Sequence, residues 1–261
     1  MQAHGSNVSG VSCGRMEGLM ELSAQAMDKL ERAGRLAGYA TGARYRVRGE
    51  FLFGGIPLAG AHVLDVGCGK GAWSMWAALH GAQRVVGIEP DADGSSQGSL
   101  DELRRSITIL GIEKQVEARC EFLHKLRRPD APYDVVVMHN VINHLDEQAV
   151  IVLHQDRVAW RKYATQLQDL RSRMRAGSWL IVADCARANL WPRLGLTSPF
   201  VPTIEWHKHQ NPDTWIEICC QAGFRKVDLR WSPLQPFTRV TANWLVQYLT
   251  CSHFVLRLQA V

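Results

Sequence analysis

The chain has 261 residues, 46% of them hydrophobic and 21% charged, with a formal net charge of +5. That length suits one large α/β domain or a domain with a small cap, and the composition is that of an ordinary soluble globule. No apolar stretch reaches the roughly 18 residues of a membrane span, so a membrane partner is not expected.

The arginines gather at Arg44/Arg46/Arg48, Arg104/Arg105, Arg127/Arg128 and Arg171/Arg173/Arg175. Each group is interleaved with acids or lies on a solvated helix face, which disfavours a nucleic-acid partner. Met1 to Arg15 is Gly/Ser-rich and lacks the apolar core of a signal peptide, so a cytoplasmic location is expected. Seven cysteines are odd in number and form no C-x-x-C pair, which reads as reduced, buried thiols.

In chain order, residues 16–53 read as two helical pieces, with Leu19, Leu22, Ala26 and Leu30 at helical spacing. Residues 1–57 are expected to form an N-terminal helical segment or lid, and 58–261 the main domain. A first strand at 62–67 is followed by a helix at 70–80 that stops at Gly81, then a second strand at 84–89. A loop at 91–99 leads into a helix closed by Gly111. The third strand is expected at 116–122 and the fourth at 134–140, the latter apolar enough to be covered on both faces. Residues 146–175 read as one long helical tract ending in Arg171, Arg173 and Arg175 before Gly177, since cations suit a helix C-terminus. A fifth strand (178–184), an insertion (186–210), a helix opened by Asn211-Pro212-Asp213, a sixth strand (224–231), a second insertion (232–250) and a last strand (251–259) complete the chain.

The most informative segment is Val63-Leu-Asp-Val-Gly-Cys-Gly-Lys-Gly71. An apolar strand carries one acid, Asp65, and breaks into Gly67, Gly69 and Gly71. Glycine permits positive φ and lets a flat polar ligand approach bare backbone. The next apolar run, Arg84-Val-Val-Gly-Ile, ends in Glu89-Pro90-Asp91. Strand, glycine turn, helix, strand and acid together describe nucleotide binding in a doubly wound sheet.

This arrangement resembles the class I S-adenosylmethionine-dependent methyltransferases, over roughly residues 58–261 and most strongly over 62–91. The resemblance extends loosely to small-molecule methyltransferases of bacterial carbohydrate and natural-product pathways, through the stretch from Glu205 to Phe224. It implies a seven-stranded, mostly parallel, Rossmann-like α/β sheet with an antiparallel closing strand and acceptor-cap insertions. It also implies S-adenosylmethionine as cofactor. The turn around Gly67, Cys68, Gly69 and Gly71, with Asp65, would pass the methionine part, and Glu89 beside Pro90 would accept the ribose hydroxyls. Glu121 and Phe122 fall where the family contacts adenine, although Phe122 reads equally well as core. His139 and Asn140 end the fourth strand, on the edge facing the transferable methyl group. Gly67-x-Gly69-x-x-Ala72 also fits a looser dinucleotide fingerprint. Against that reading stand Asp65, whose carboxylate repels phosphate, and the closing pair of strands.

The expected reaction is methyl transfer to an oxygen or nitrogen of a small polar organic acceptor. Histidine suits general-base work near neutral pH, and the candidates are His144, His139, His207 and His209, with His144 favoured. Trp191, Phe200, Trp206 and the histidines of the first insertion suit a pocket roof, with core packing as the alternative for Trp206 and Trp215. The second insertion, with Phe237, Arg239, Asn243 and Trp244, completes the pocket or forms a homodimer contact. No metal is expected, because Glu205, His207 and His209 alternate on a loop and only Asp146 lies near residues 139–144. A non-catalytic cofactor-binding partner and an RNA methyltransferase remain the alternatives. The second of these is disfavoured because His139-Asn140-Val141-Ile142 stands where an Asn-Pro-Pro-Tyr-like amine motif would be required.

Overall fold

The computed structural model describes residues 24–90, 97–234 and 241–261. Leu19, Leu22, Phe237, Arg239 and most of the 91–99 loop lie outside them. Seven strands form one sheet in the order β3-β2-β1-β4-β5-β7-β6. They are β1 (His62–Val66), β2 (Arg84–Ile88), β3 (Val116–Arg119), β4 (Tyr133–His139), β5 (Met174–Cys185), β6 (Phe224–Trp231) and β7 (His253–Ala260). The first five run parallel, and β7 is antiparallel to both of its neighbours, as the closing pair requires.

The strands are apolar on both faces because helices cover both faces. Val63, Val85, Val137 and Ile181 enter one core with α1 (Ala24–Leu36), α2 (Gly42–Phe53), α3 (Ala72–Leu79) and α4 (Ser99–Leu110). Their neighbours Leu64, Val86, Met138 and Val182 enter the opposite core, with α5 (Glu147–Val152), α6 (Arg157–Arg171) and, beyond the short α7 (Leu190–Arg193), α8 (Pro212–Gln221). The side of the sheet that the connecting helix covers therefore changes between β1 and β4. That change opens a crevice at the carboxyl ends of these two strands, where α/β sheets bind ligands.

The N-terminal helices pack firmly on this frame. The Tyr45 hydroxyl donates to Ala72 O (2.6 Å) and its ring stacks on Trp73. Gly49 faces the Trp76 ring so closely that a Cβ would lie 2.4 Å from it. The two insertions are tied to one another by Trp191 Nε1 donating to Leu249 O (2.8 Å) and Asn189 Nδ2 donating to Thr250 O (3.0 Å).

Five expectations are corrected. The 146–175 tract is two helices, because Asp156 starts a new one by accepting the Val158 N–H (2.6 Å). Arg173 and Arg175 lie past the end of α6. The buried Arg173 guanidinium bonds Asp169 and Leu126 O, and Gly177, at φ 78°, serves an irregularity in β5 where the register with β4 jumps. The third strand stops at Arg119, and only the single 3₁₀ turn Leu123–Lys125 separates β3 from β4. Asn211 heads α8 without capping it, since its Oδ1 accepts the Ala188 N–H (3.0 Å) and so anchors the first insertion. Among the described cysteines, all free, Cys68 and Cys219 are buried, but Cys120 and Cys220 are exposed. No helix among the described residues is long and apolar enough to cross a membrane.

Gly49→Ala should destabilise the fold by about 1–3 kcal/mol, because the buried Trp76 ring has no room to retreat. Thermal denaturation should show a Tm several degrees below wild type, whereas Val47→Ala on the exposed face of α2 should stay within about 0.5 kcal/mol. Equal Tm values for the two variants would contradict this packing.

Candidate functional site

The glycine turn after β1 is built for its shape. Gly67, Gly69 and Gly71 have φ of 64°, 50° and 78°, a region that side chains other than glycine adopt at a cost. The three positions differ in what surrounds them. A Cβ on Gly67 would lie 2.3 Å from Val141, and one on Gly71 would lie 2.1 Å from Leu103, so both are closed by packing. A Cβ on Gly69 would meet nothing within 4 Å, so there the backbone faces open space. The Cys68 N–H donates to Ile88 O (3.0 Å) and the Gly69 N–H to Glu89 Oε2 (3.0 Å), locking the turn to the end of β2.

Asp65 is buried beneath this turn and accepts the Ser74 hydroxyl (2.7 Å). Burial is the main reason its carboxyl is pushed up to about 7. Burial also pushes the Cys68 thiol up. Gly87 makes room for both neighbours, since a Cβ there would lie 2.9 Å from Ser74 Oγ and 3.0 Å from Cys68 Sγ.

Beside the turn lies a cleft of about 460 Å³, whose walls include Gly67, Glu89, Pro90, Glu121, Phe122, Asn140 and His144. Phe122 is 44% exposed, which removes the core alternative. The cleft's set of acceptors is telling. Glu89 and Glu121 line the cleft and Asp65 lies beneath it, and Glu121 Oε2 is buried without a hydrogen-bond partner. Carboxylates of this kind receive hydroxyl, ammonium or amino donors and repel phosphate. A ligand with a vicinal diol and an ammonium fits them; a pyrophosphate does not.

Past the cleft, the ends of β4, β5 and β7 carry a second group of polar side chains. His139 lies against Trp73 (5.2 Å between ring centres) and 5.7 Å from the His253 ring. His253 reaches Asn140 Oδ1 (3.2 Å), and Asn140 itself is held at φ 56°. Burial, and then the Arg48 charge, push His139 down to about 3 and His253 well below its ordinary value. Two histidines are backed by carboxylates. His144 Nδ1 lies 2.7 Å from Glu147 Oε1 on the exposed cleft rim, and His209 Nδ1 lies 3.1 Å from Asp184 Oδ1. Asp184 is fully buried and its Oδ2 has no partner. His207 is not brought to this region; it lines a separate groove with Trp206 and Tyr248. Trp215 is core, packed on Tyr163.

The methyltransferase-domain family profile matches residues 39–229. The chain belongs to this family. It is a class I S-adenosylmethionine-dependent methyltransferase, as the glycine turn and its acids imply. The ubiquinone biosynthesis O-methyltransferase of Azoarcus sp. (strain BH72) is 27% identical over 196 residues, covering 75% of this chain and 78% of that protein. The ribosomal protein L11 methyltransferase of Aeromonas hydrophila is 35% identical over 98 residues, 38% of this chain and 31% of that one. Among solved structures, an S-adenosylmethionine-dependent methyltransferase from Mesorhizobium loti superposes with a TM-score of 0.56 at 16% identity, covering 86% of this chain and 99% of that one. The [4+2]-cyclase SpnF does so with 0.56 at 14% identity, over 90% and 93%. A shared fold thus leaves the reaction to be argued from the site.

Sequence reasoning passed over Ser74, Gly87, Asp184, Arg48, Ser232 and His253. A glycine inside the β2 apolar run was a legible signal of close approach. The others meet only through the fold.

Two outcomes test this geometry. Gly69→Ala should remain folded, at a backbone cost of about 1–2 kcal/mol, but should bind S-adenosylmethionine at least about tenfold more weakly. Gly71→Ala should lose stability through its clash with Leu103. Calorimetric titration beside thermal melts separates the two, and wild-type affinity in Gly69→Ala would contradict the cradle.

The second outcome concerns His139. Its folded value near 3 lies below the unfolded value near 6.5, so the unfolded chain gains a proton as pH falls through 6.5 that the folded chain refuses. Stability is then lost toward low pH by up to about 1.4 kcal/mol per unit. Asp65, raised in the folded state, acts in the opposite sense between about pH 4 and 7 but is common to both proteins. Denaturant melts should therefore show His139→Gln less stable than wild type at pH 7.5, with the gap closing by pH 5. A pH-independent gap would contradict a buried neutral His139.

Proposed function

We propose that this methyltransferase acts on an oxygen or nitrogen of a small polar acceptor seated between Asn140, His209 and His253, with His209 as general base. The observation that carries the reading is the Asp184–His209 pair at the end of β5. Its Nδ1–H is directed to a buried carboxylate, which leaves Nε2 to take a proton. A proton taken up by His209 would be felt at His253, which keeps the two histidines in one neighbourhood.

In this reading the turn from Gly67 through Gly71, with Asp65 and Cys68 beneath it, follows the methionine part of the cofactor. Glu89 accepts the ribose hydroxyls, while Pro90, Glu121 and Phe122 border the adenine. His139 and Asn140 close the edge toward the methyl group. Bound S-adenosylmethionine supplies an activated methyl on a sulfonium, which already carries its own leaving group. The chain's residues therefore need only align the acceptor and receive its proton. His144 is the second reading for the base, favoured by its 2.7 Å contact with Glu147 on the wall of the same cleft.

The test has two stages. S-adenosylmethionine should titrate with saturable heat, and no heat at millimolar cofactor would sink the reading. With an acceptor found by methyl-transfer screening, His209→Gln should lower kcat by about 10²–10⁴-fold. His144→Gln should change it far less. The reverse result selects His144, and turnover intact in single variants of His139, His144, His207 and His209 would rule out a histidine base.

A further inference from the structure

Arg48 projects from α2 into the polar group at the sheet's end and finds only neutral partners. Its Nη1 donates to Ser232 Oγ (2.8 Å), and its Nη2 lies 2.9 Å from His253 Nε2 and 3.4 Å from His139 Nε2. A guanidinium has donors only, and Nη2 lies 3.1 Å from His253 Nδ1 as well, so one His253 ring nitrogen accepts from Arg48 while the other carries the proton, toward Ser232 Oγ (2.8 Å) or Asn140 Oδ1 (3.2 Å). Both rings are then neutral, in keeping with their depressed basicity. Among the described residues no carboxylate pairs with Arg48. By contrast, Arg173 and Arg257, both buried, are paired with Asp169 and Asp228.

A half-buried cation without a counter-charge costs desolvation that neutral partners repay only in part. This one also borders a groove of about 290 Å³ lined by Tyr39, Arg44, Val47, Phe51 and Pro233. The groove combines aromatic walls with a second arginine and has no acid among its lining residues.

We propose that Arg48 is the acceptor's anion-binding residue, so that the methyl acceptor carries a carboxylate or phosphate that supplies the missing counter-charge. The planar fork of the guanidinium suits either oxyanion in bidentate fashion. The proposal rests on the acceptor lying between Asn140, His209 and His253, and it is tested without turnover, so that its failure is separate from that of the base assignment.

Benzoate, phenyl phosphate and the neutral analogue benzamide are titrated into the full chain saturated with S-adenosylhomocysteine, whose own binding heat reports the cofactor site independently. Benzoate or phenyl phosphate should bind at least about tenfold more tightly than benzamide, as one charge-assisted hydrogen bond implies. Which of the two binds better identifies the oxyanion. The preference should collapse in Arg48→Met and survive in part in Arg48→Lys, with S-adenosylhomocysteine binding as the check on folding. Equal binding of benzoate, phenyl phosphate and benzamide, binding of none of them, or a preference that persists in Arg48→Met would each overturn the proposal. The wild-type comparison decides the matter even if the methionine variant fails to fold.

Discussion

The bond from the Gly69 N–H to the Glu89 carboxylate joins the ends of β1 and β2 and governs the ligand end of the molecule. It holds a turn whose glycines take positive φ while Val141 and Leu103 occupy the space that side chains would need. The turn in turn gives α3 its starting point, and α3 carries Ser74 back to Asp65 and Trp73 toward His139. Packing, loop shape and the arrangement of acids are thus one constraint seen from three sides.

The distribution of charge divides the site into two halves. Around the cleft Glu89 and Glu121 present carboxylates, one with an orphaned buried oxygen, and these select hydroxyl and amine donors over phosphate. Past Asn140 the balance changes, with Arg48 among neutral histidines and, among the described residues, no carboxylate paired with it. An enzyme that joins a cationic cofactor to a second substrate is well served by such a division, because each half repels the other's ligand.

Much of the frame was legible in the sequence. The nine-residue stretch from Val63 to Gly71 announced its own geometry, since its three glycines suit positive φ, and the apolar run of β4 announced burial on both faces. The boundary between α5 and α6 was hidden because helical periodicity continues across it, and only the Asp156 cap marks the break. The polar group around Arg48 was hidden for a different reason: Ser232 and His253 lie 184 and 205 residues from Arg48, and only the antiparallel return of β7 brings them together. His144 stood out because it follows a strand end, whereas the partner that distinguishes His209, Asp184, becomes evident only once β5 and the loop before α8 meet.

The central claim is that the acid-lined cleft beside the Gly67–Gly71 turn receives S-adenosylmethionine. Amide hydrogen exchange with and without the cofactor tests this most directly. The account predicts slowed exchange confined to residues 67–71, 89, 121–122 and 140–144. Unchanged exchange at the glycine turn, or protection concentrated at the opposite end of the sheet around His62 and Arg84, would contradict it.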